Sequence, residues 1–192
     1  MRPEEWFGQR TYHYSEFYDI GELVRLKKEQ GLTISVCLPT LNEADTIPNI
    51  LPVIRRSLME RHQLVDQLAI IDSRSTDETA KVAKEHGAEV FFDDEYLTGQ
   101  PLASGKGEAL WKSLAPLTGD IIVWVDSDIK NFSPHFIHGL VGPLLTNTKI
   151  GYVKGYYRRP LFLVEMKRET GGSRVTEICA RPLLNMFYTE LA

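Results

Sequence analysis

One pattern recurs along this chain: a short apolar run rich in β-branched residues, then a polar turn, then apolar residues at helical spacing. Strand-then-helix alternation leaves few architectures open. It calls for an α/β fold around a mostly parallel sheet flanked by helices, because parallel strands need crossover connections that cover both sheet faces. Residues 32–38 hold Ile34, Val36, Cys37 and Leu38 and read as a strand that Pro39 should end. Ile47, Ile50, Leu51, Ile54 and Leu58 then recur with helical period. Pro48 suits a first turn, while Pro52 should kink that helix or mark its real start. Further strands are expected over 68–71, 88–92, 121–125 and 150–157. Helices are expected over 79–86, with Gly87 closing the end, and over 108–117, 134–145 and 174–188. An opening helix over 19–30 has Asp19 and Glu22 placed for a capping box.

Parallel α/β sheets bind ligands beyond the carboxyl ends of their strands. Three polar segments fall there: 39–45, 72–77 and 126–128. Composition narrows the class of ligand. A net charge of −4 argues against a dedicated nucleic-acid binder, which usually carries a basic stripe. At 192 residues, with 43% hydrophobic and 25% charged, the chain fits one globular domain that needs no disulfides. Only Cys37 and Cys179 are present, and Cys37 reads as a buried thiol. No run approaches the ~18–20 apolar residues of a membrane span, and residues 1–14 lack a signal-like apolar stretch. A soluble cytoplasmic protein is the expectation.

Asp126-Ser127-Asp128 is the sharpest motif. Two carboxylates just past a buried strand can offer oxygen ligands to Mg²⁺ or Mn²⁺, or simply form a solvated turn before a helix. Within 72–79, Ser75, Thr76 or Asp77 could cap a helix, and the same turn could hold a base or ribose. Gly105-Lys106-Gly107-Glu108 reads as a phosphate-approaching loop or as a plain flexible one; it is neither a Walker A loop nor a dinucleotide fingerprint. Gly171 to Glu177 offers free backbone N–H groups, Arg174 and two hydroxyls to an anion, or else a loop with Ser173 as cap. Tyr156 to Pro160 is either a basic binding edge or a strand end protected by charge and proline. His13, His62, His86, His135 and His138 show no metal-ligand spacing; His135 and His138 stand i, i+3 on a helix, and surface placement is expected for that pair.

Taken in order, these segments resemble a GT-A glycosyltransferase, with a Rossmann-like nucleotide-binding half, and more closely the glucosyl-3-phosphoglycerate synthases, which border on the mannosyl-3-phosphoglycerate synthases. The resemblance runs from about residue 15 to the end. It rests on 35–43, on Asp72-Ser73 with Ser75-Thr76-Asp77, on 105–111, on 126–128, on 157–161 and on 171–182. It implies one nucleotide-sugar-binding domain over 1–192, in which 1–30 is an N-terminal extension and helix. The implied reaction moves glucose from UDP-glucose to D-3-phosphoglycerate with retention and with Mg²⁺ or Mn²⁺. By residue match, Pro39, Leu41 and Glu43 would hold the nucleoside, and Ser73 the uracil. Lys106 would lie in the nucleotide site, Asp126 and Ser127 along the ribose and diphosphate, and Asp128 on the metal. Ser173, Arg174 and Thr176 would hold the acceptor, although the family pattern has a glycine where Ser173 stands. No side chain stands out as a nucleophile. The family also implies a homodimer and a further C-terminal part with a histidine metal ligand, which would be absent here. Two alternatives accompany this reading: a nucleotide-sugar-binding module without turnover, and a mannosyl-3-phosphoglycerate synthase using GDP-mannose. A nucleotidyltransferase fits less well, for want of a glycine-rich phosphate loop near the first strand.

Overall fold

The computed structural model describes residues 8–99 and 105–156, and the backbone of Leu161–Leu163 and Met166–Arg168. Numbered in chain order, the strands of the sheet are β1 (Ile34–Thr40), β2 (Gln67–Asp72), β3 (Glu89–Phe92) and β4 (Ile121–Trp124). They run parallel in the order β3-β2-β1-β4. The helices are α1 (Ile20–Gln30), α2 (Leu51–Val53, continued by a π-helix over Ile54–Arg61), α3 (Thr79–Glu85), α4 (Lys106–Ser113) and α5 (His135–Thr146). Two compact units divide the chain: Tyr12–Val153, which holds this sheet, and 1–11 with 154–192. In the second unit, Leu161–Leu163 (β5) pairs antiparallel with Met166–Arg168 (β6), a hairpin the sequence pattern does not announce.

Strand periodicity sorts the core. Val36, Leu38, Leu68 and Ile70 point to one face and pack with Leu23, Ile50, Leu51, Ile54, Leu58, Ile137 and Val141. Cys37, Ala69 and Ile71 point to the other and pack with Ala109 and Leu117. β1 and β2 are buried almost throughout, as central strands covered on both faces should be. Burial pushes the Cys37 thiol up to about 12, so it stays protonated and inert.

Most of the elements expected within the described residues appear with shifted ends, while the helix expected over 174–188 lies outside the described residues. Pro52 marks the real start, in the first turn of α2, rather than a kink. α4 begins two residues earlier than the pattern suggests and ends at Ser113. Asp19 caps α1 by accepting from the Glu22 N–H at 3.0 Å, but the Glu22 carboxylate turns to Arg25, so only half of the capping box forms. The strand expected over 150–157 is not formed among the described residues 150–156. Gly151 and Gly155 lower its strand propensity, and exposed Tyr152 and Tyr156 bury no face that would repay pairing. His138 corrects the surface expectation. It is only 3% exposed, beside the Tyr18 ring, and burial holds its pKa below the ordinary value. Hydrophobic neighbours on both sides of α5 draw it inward with Ile137 and Val141. No helix among the described residues is long and apolar enough to cross a membrane.

Candidate functional site

The strand order reverses between β1 and β4: β2 and β3 step away on one flank of β1, and β4 lies on the other. A crevice beyond the strand ends is expected at such a switch point. Pro39 stands at that point. The sequence reading ends β1 at Leu38, yet the strand continues through Pro39 to Thr40. A proline is tolerated there for a geometrical reason. Thr33 and Cys37 turn their carbonyls toward β4, accepting from the N–H groups of Ile121 and Val125, so by alternation Pro39 faces the same way. The β1–β4 ladder ends at Cys37 opposite Trp124, so the missing N–H falls where no partner strand remains. Beyond that point no ladder pairs β1 with β4.

Ser127 bridges the gap, its hydroxyl donating to the Pro39 carbonyl at 2.8 Å. Buried Ser127 thus anchors the Asp126–Asp128 turn to the end of β1. Asp128, next in sequence, is exposed, and no partner for its carboxylate is found among the described residues. Asp126 instead pairs with Lys106, in the first turn of α4. Gly105 precedes that helix with φ 121°, a backbone conformation that favours glycine. The sequence motif 105–108 therefore meets the motif 126–128 through an ion pair, although twenty residues separate them.

The loops that follow β1 and β2 are sewn together. Asn42, left-handed at φ 57°, donates its N–H to Ser75 Oγ at 2.8 Å and accepts from the Thr76 N–H at 2.8 Å. The Glu43 N–H donates to Thr79 Oγ1, and the Ala44 N–H to Asp77. Asp77 also accepts from the Thr79 N–H, which satisfies the first turn of α3 from one residue outside its formal cap. This stitching holds Leu41 outward, 58% exposed, at the rim. Ser73 follows β2 directly; its N–H donates to the Thr40 carbonyl and its hydroxyl to Asp93. Arg74 lies over the Phe92 ring and reaches Asp94 and Glu95.

The described part of the site thus gathers Pro39, Leu41, Glu43, Ser73, Lys106, Asp126, Ser127 and Asp128 on the carboxyl-end rim of one sheet. Ser173, Arg174 and Thr176, like the rest of 171–177 and the basic residues Arg158 and Arg159, lie outside the described residues. Two contributors escape sequence reasoning. One is the depth of Asp72, whose only signal is an acidic residue ending an otherwise apolar strand. The other is the pairing of Arg74 with the acidic turn after β3, which no local pattern reveals. Chemically, the rim offers an exposed leucine, a lysine beside an acidic turn and one carboxylate open to a hard cation. No group of three metal-ligating side chains occurs among the described residues. A Mg²⁺-type site needs only one or two carboxylates when phosphate and water complete the sphere, so Asp128 fits such an ion.

Comparison with known proteins gives this geometry a context. Residues 35–189 match the model of Glycosyl transferase family 2. The chain is 50% identical over 184 residues to the glucosyl-3-phosphoglycerate synthase of Petrotoga mobilis, covering 96% of this chain and 57% of that protein. It is similar in structure to mannosyl-3-phosphoglycerate synthase from Rubrobacter xylanophilus, with TM-score 0.86 and 43% identity over 98% of this chain and 58% of the other. Glucosyl-3-phosphoglycerate synthase from Mycobacterium tuberculosis, solved with Mn²⁺, UDP-glucose and phosphoglyceric acid, matches with TM-score 0.72 and 46% identity over 91% of this chain and 56% of the other. That enzyme has also been solved with Mg²⁺ and UDP. The chain spans little more than half the length of these relatives.

Proposed function

The chain belongs to glycosyl transferase family 2, and from that premise we propose that it carries the nucleotide-sugar-binding domain of a retaining, metal-dependent hexosyltransferase that moves glucose from UDP-glucose to D-3-phosphoglycerate. The observation that carries this reading is the meeting of Lys106 and Asp126 at the switch point of the sheet, in a chain half identical to a glucosyl-3-phosphoglycerate synthase. Pro39, Leu41 and Glu43 hold the nucleoside, and Ser73 meets the uracil. Lys106 faces the diphosphate. Asp126 lines the ribose; Ser127, its hydroxyl committed to Pro39, contributes its backbone N–H. Asp128 is the metal ligand, and Mg²⁺ or Mn²⁺ bound there supplies Lewis-acid stabilisation of the leaving diphosphate. Ser173, Arg174 and Thr176 hold the acceptor. Cytoplasmic placement and pairing into a homodimer belong to the same proposal.

No side chain among the described residues stands as a nucleophile, and the transfer proposed is front-side. The bond from the anomeric carbon to the diphosphate breaks, the bond to the acceptor hydroxyl forms, and the hydroxyl proton passes to the departing phosphate oxygen. The positive charge that develops on the sugar resembles that of glycoside chemistry in general. A glucosyl–protein adduct trapped in mass spectrometry would overturn this route.

Lys106→Ala should weaken UDP binding by about 1.5 kcal/mol, roughly tenfold, at the low end for a charge-assisted hydrogen bond because the lysine is solvent-screened. UMP should lose less. Titration calorimetry reads both, and an unchanged UDP affinity returns 105–107 to a plain loop. Arg174→Ala should weaken 3-phosphoglycerate binding by about tenfold, the scale of one charged hydrogen bond, and leave UDP binding nearly untouched. Equal loss of both ligands would remove the acceptor assignment.

Two neighbouring readings stand beside this one. The first is a mannosyl-3-phosphoglycerate synthase using GDP-mannose, and the structural likeness to the Rubrobacter xylanophilus enzyme of that name supports it. The other is a nucleotide-sugar-binding module without turnover. One experiment separates all three: calorimetry with UDP or GDP and Mn²⁺, beside a product assay with UDP-glucose or GDP-mannose and 3-phosphoglycerate. Glucosyl product supports the main reading. Binding without product selects the module.

A further inference from the structure

We propose that Asp72 is the positioning residue of the nucleoside end of the site, acting without touching the ligand. The inference rests on the functional reading above and deepens it. Asp72 ends β2 and is fully buried, at 0% exposure. Its Oδ2 accepts from the Thr40 hydroxyl at 3.0 Å and from the Ser75 hydroxyl at 2.6 Å, while its Oδ1 accepts from the Ser75 N–H at 2.7 Å. Three donors thus surround a carboxylate that solvent does not reach. No cation accompanies it among the described residues, so its charge is borne by hydrogen bonds alone. A carboxylate in that position draws donors inward and fixes their direction.

The consequence passes outward through Ser75. With its proton directed to Asp72, Ser75 Oγ presents a lone pair to the Asn42 N–H at 2.8 Å. Asn42 is thereby held left-handed, at φ 57°, a conformation that costs energy for a side chain larger than glycine unless its surroundings impose it. Its own Oδ1 accepts from the Thr76 N–H and hydroxyl, which closes the second stitch. On either side of Asn42 stand Leu41 and Glu43, the two loop residues assigned to the nucleoside. Asp72 therefore sets the shape of that loop from below. Thr40, the register partner of Asp72 across the two strands, links the same carboxylate to the root of the loop.

The test uses the whole chain, with UDP and UMP as probes. Asp72→Ala should weaken both ligands by the same factor, at least about 30-fold for the loss of three hydrogen bonds to a charged group. The factor should be equal in Mn²⁺ and in EDTA, because the nucleoside end is disturbed and not the diphosphate end. Amide hydrogen exchange at Asn42, Ser75 and Thr76 should accelerate, while Val36 and Ile70 in the strands stay protected. Asp72→Asn keeps an oxygen for the Ser75 N–H and should restore affinity to within about fivefold of the parent, one neutral hydrogen bond's worth. Should Asp72→Ala not fold, Ser75→Ala serves in its place, with faster exchange at Asn42 and a shared loss for UDP and UMP. A folded Asp72→Ala protein with unchanged UDP affinity, or with the Asn42 and Thr76 amides still protected, overturns the proposal. If the unmutated chain binds no UDP, the functional reading fails by itself, and the exchange measurement still decides whether Asp72 holds the loop.

Discussion

Asp128→Ala is expected to reduce UDP affinity by more than about 100-fold in the presence of Mn²⁺, a few kcal/mol, and to leave it nearly unchanged in EDTA. The size follows from the donor set. Among the described residues, the Asp126 carboxylate is taken by Lys106, whereas the neighbouring Asp128 carboxylate has no partner. A cation held there would lose in the variant the one anionic ligand that the described residues offer it, and the diphosphate would lose the cation with it. Fold should not suffer, because Asp128 is exposed and Ser127 still ties the turn to Pro39. Without metal, removal of a negative charge beside the diphosphate can only help UDP slightly. Calorimetric titrations under the two conditions decide the matter. Equal losses in Mn²⁺ and EDTA would make Asp128 a turn residue and nothing more.

How much of this was legible in the residues depends on the range over which each feature is set. β1, β2, β4 and α5 follow from local apolar runs, since periodicity alone decides which face is buried. The positions of 39–45, 72–77 and 126–128 at strand ends were legible for the same reason. Pro39 misleads because its cost depends on whether a partner strand still lies opposite, a tertiary matter. The strand expected over 150–157 fails on the converse: a β-rich composition forms no ladder without a neighbour or a buried face. His138 goes inward because α5 is packed more widely round its circumference than an i, i+3 pair of histidines suggests. Asp72 is the clearest case. Its partner Ser75 lies three residues on in the same turn, but Thr40 ends the neighbouring strand and reaches it only through the parallel register, so an acidic strand end reads locally as one more polar turn.

Leu68→Ala is expected to destabilise the folded chain by about 2–5 kcal/mol, the range for deleting a buried leucine side chain with incomplete collapse of the cavity. Leu68 is 2% exposed, pairs opposite Val36 on a central strand, and packs in the larger of the two core clusters. Against a total of about 5–15 kcal/mol for a typical domain, that is a large share, and the melting temperature should fall by roughly 4–20 °C. The site should not notice. Leu68 stands four residues before Asp72, about 13 Å along the strand, on the side away from the rim. Saturating UDP stabilises any chain that binds it in proportion to the logarithm of ligand over Kd, so the increment in melting temperature should be nearly the same with and without the mutation. Asp128→Ala should behave in the opposite way, with an unchanged melting temperature alone and a lost increment in UDP with Mn²⁺. Thermal melts of the two variants, each with and without ligand, measure both effects at once. A Leu68→Ala chain that melts lower and also loses its UDP increment would mean that the strand ends take their geometry from the packing beneath them, and not from the hydrogen bonds of Asp72, Ser75 and Ser127.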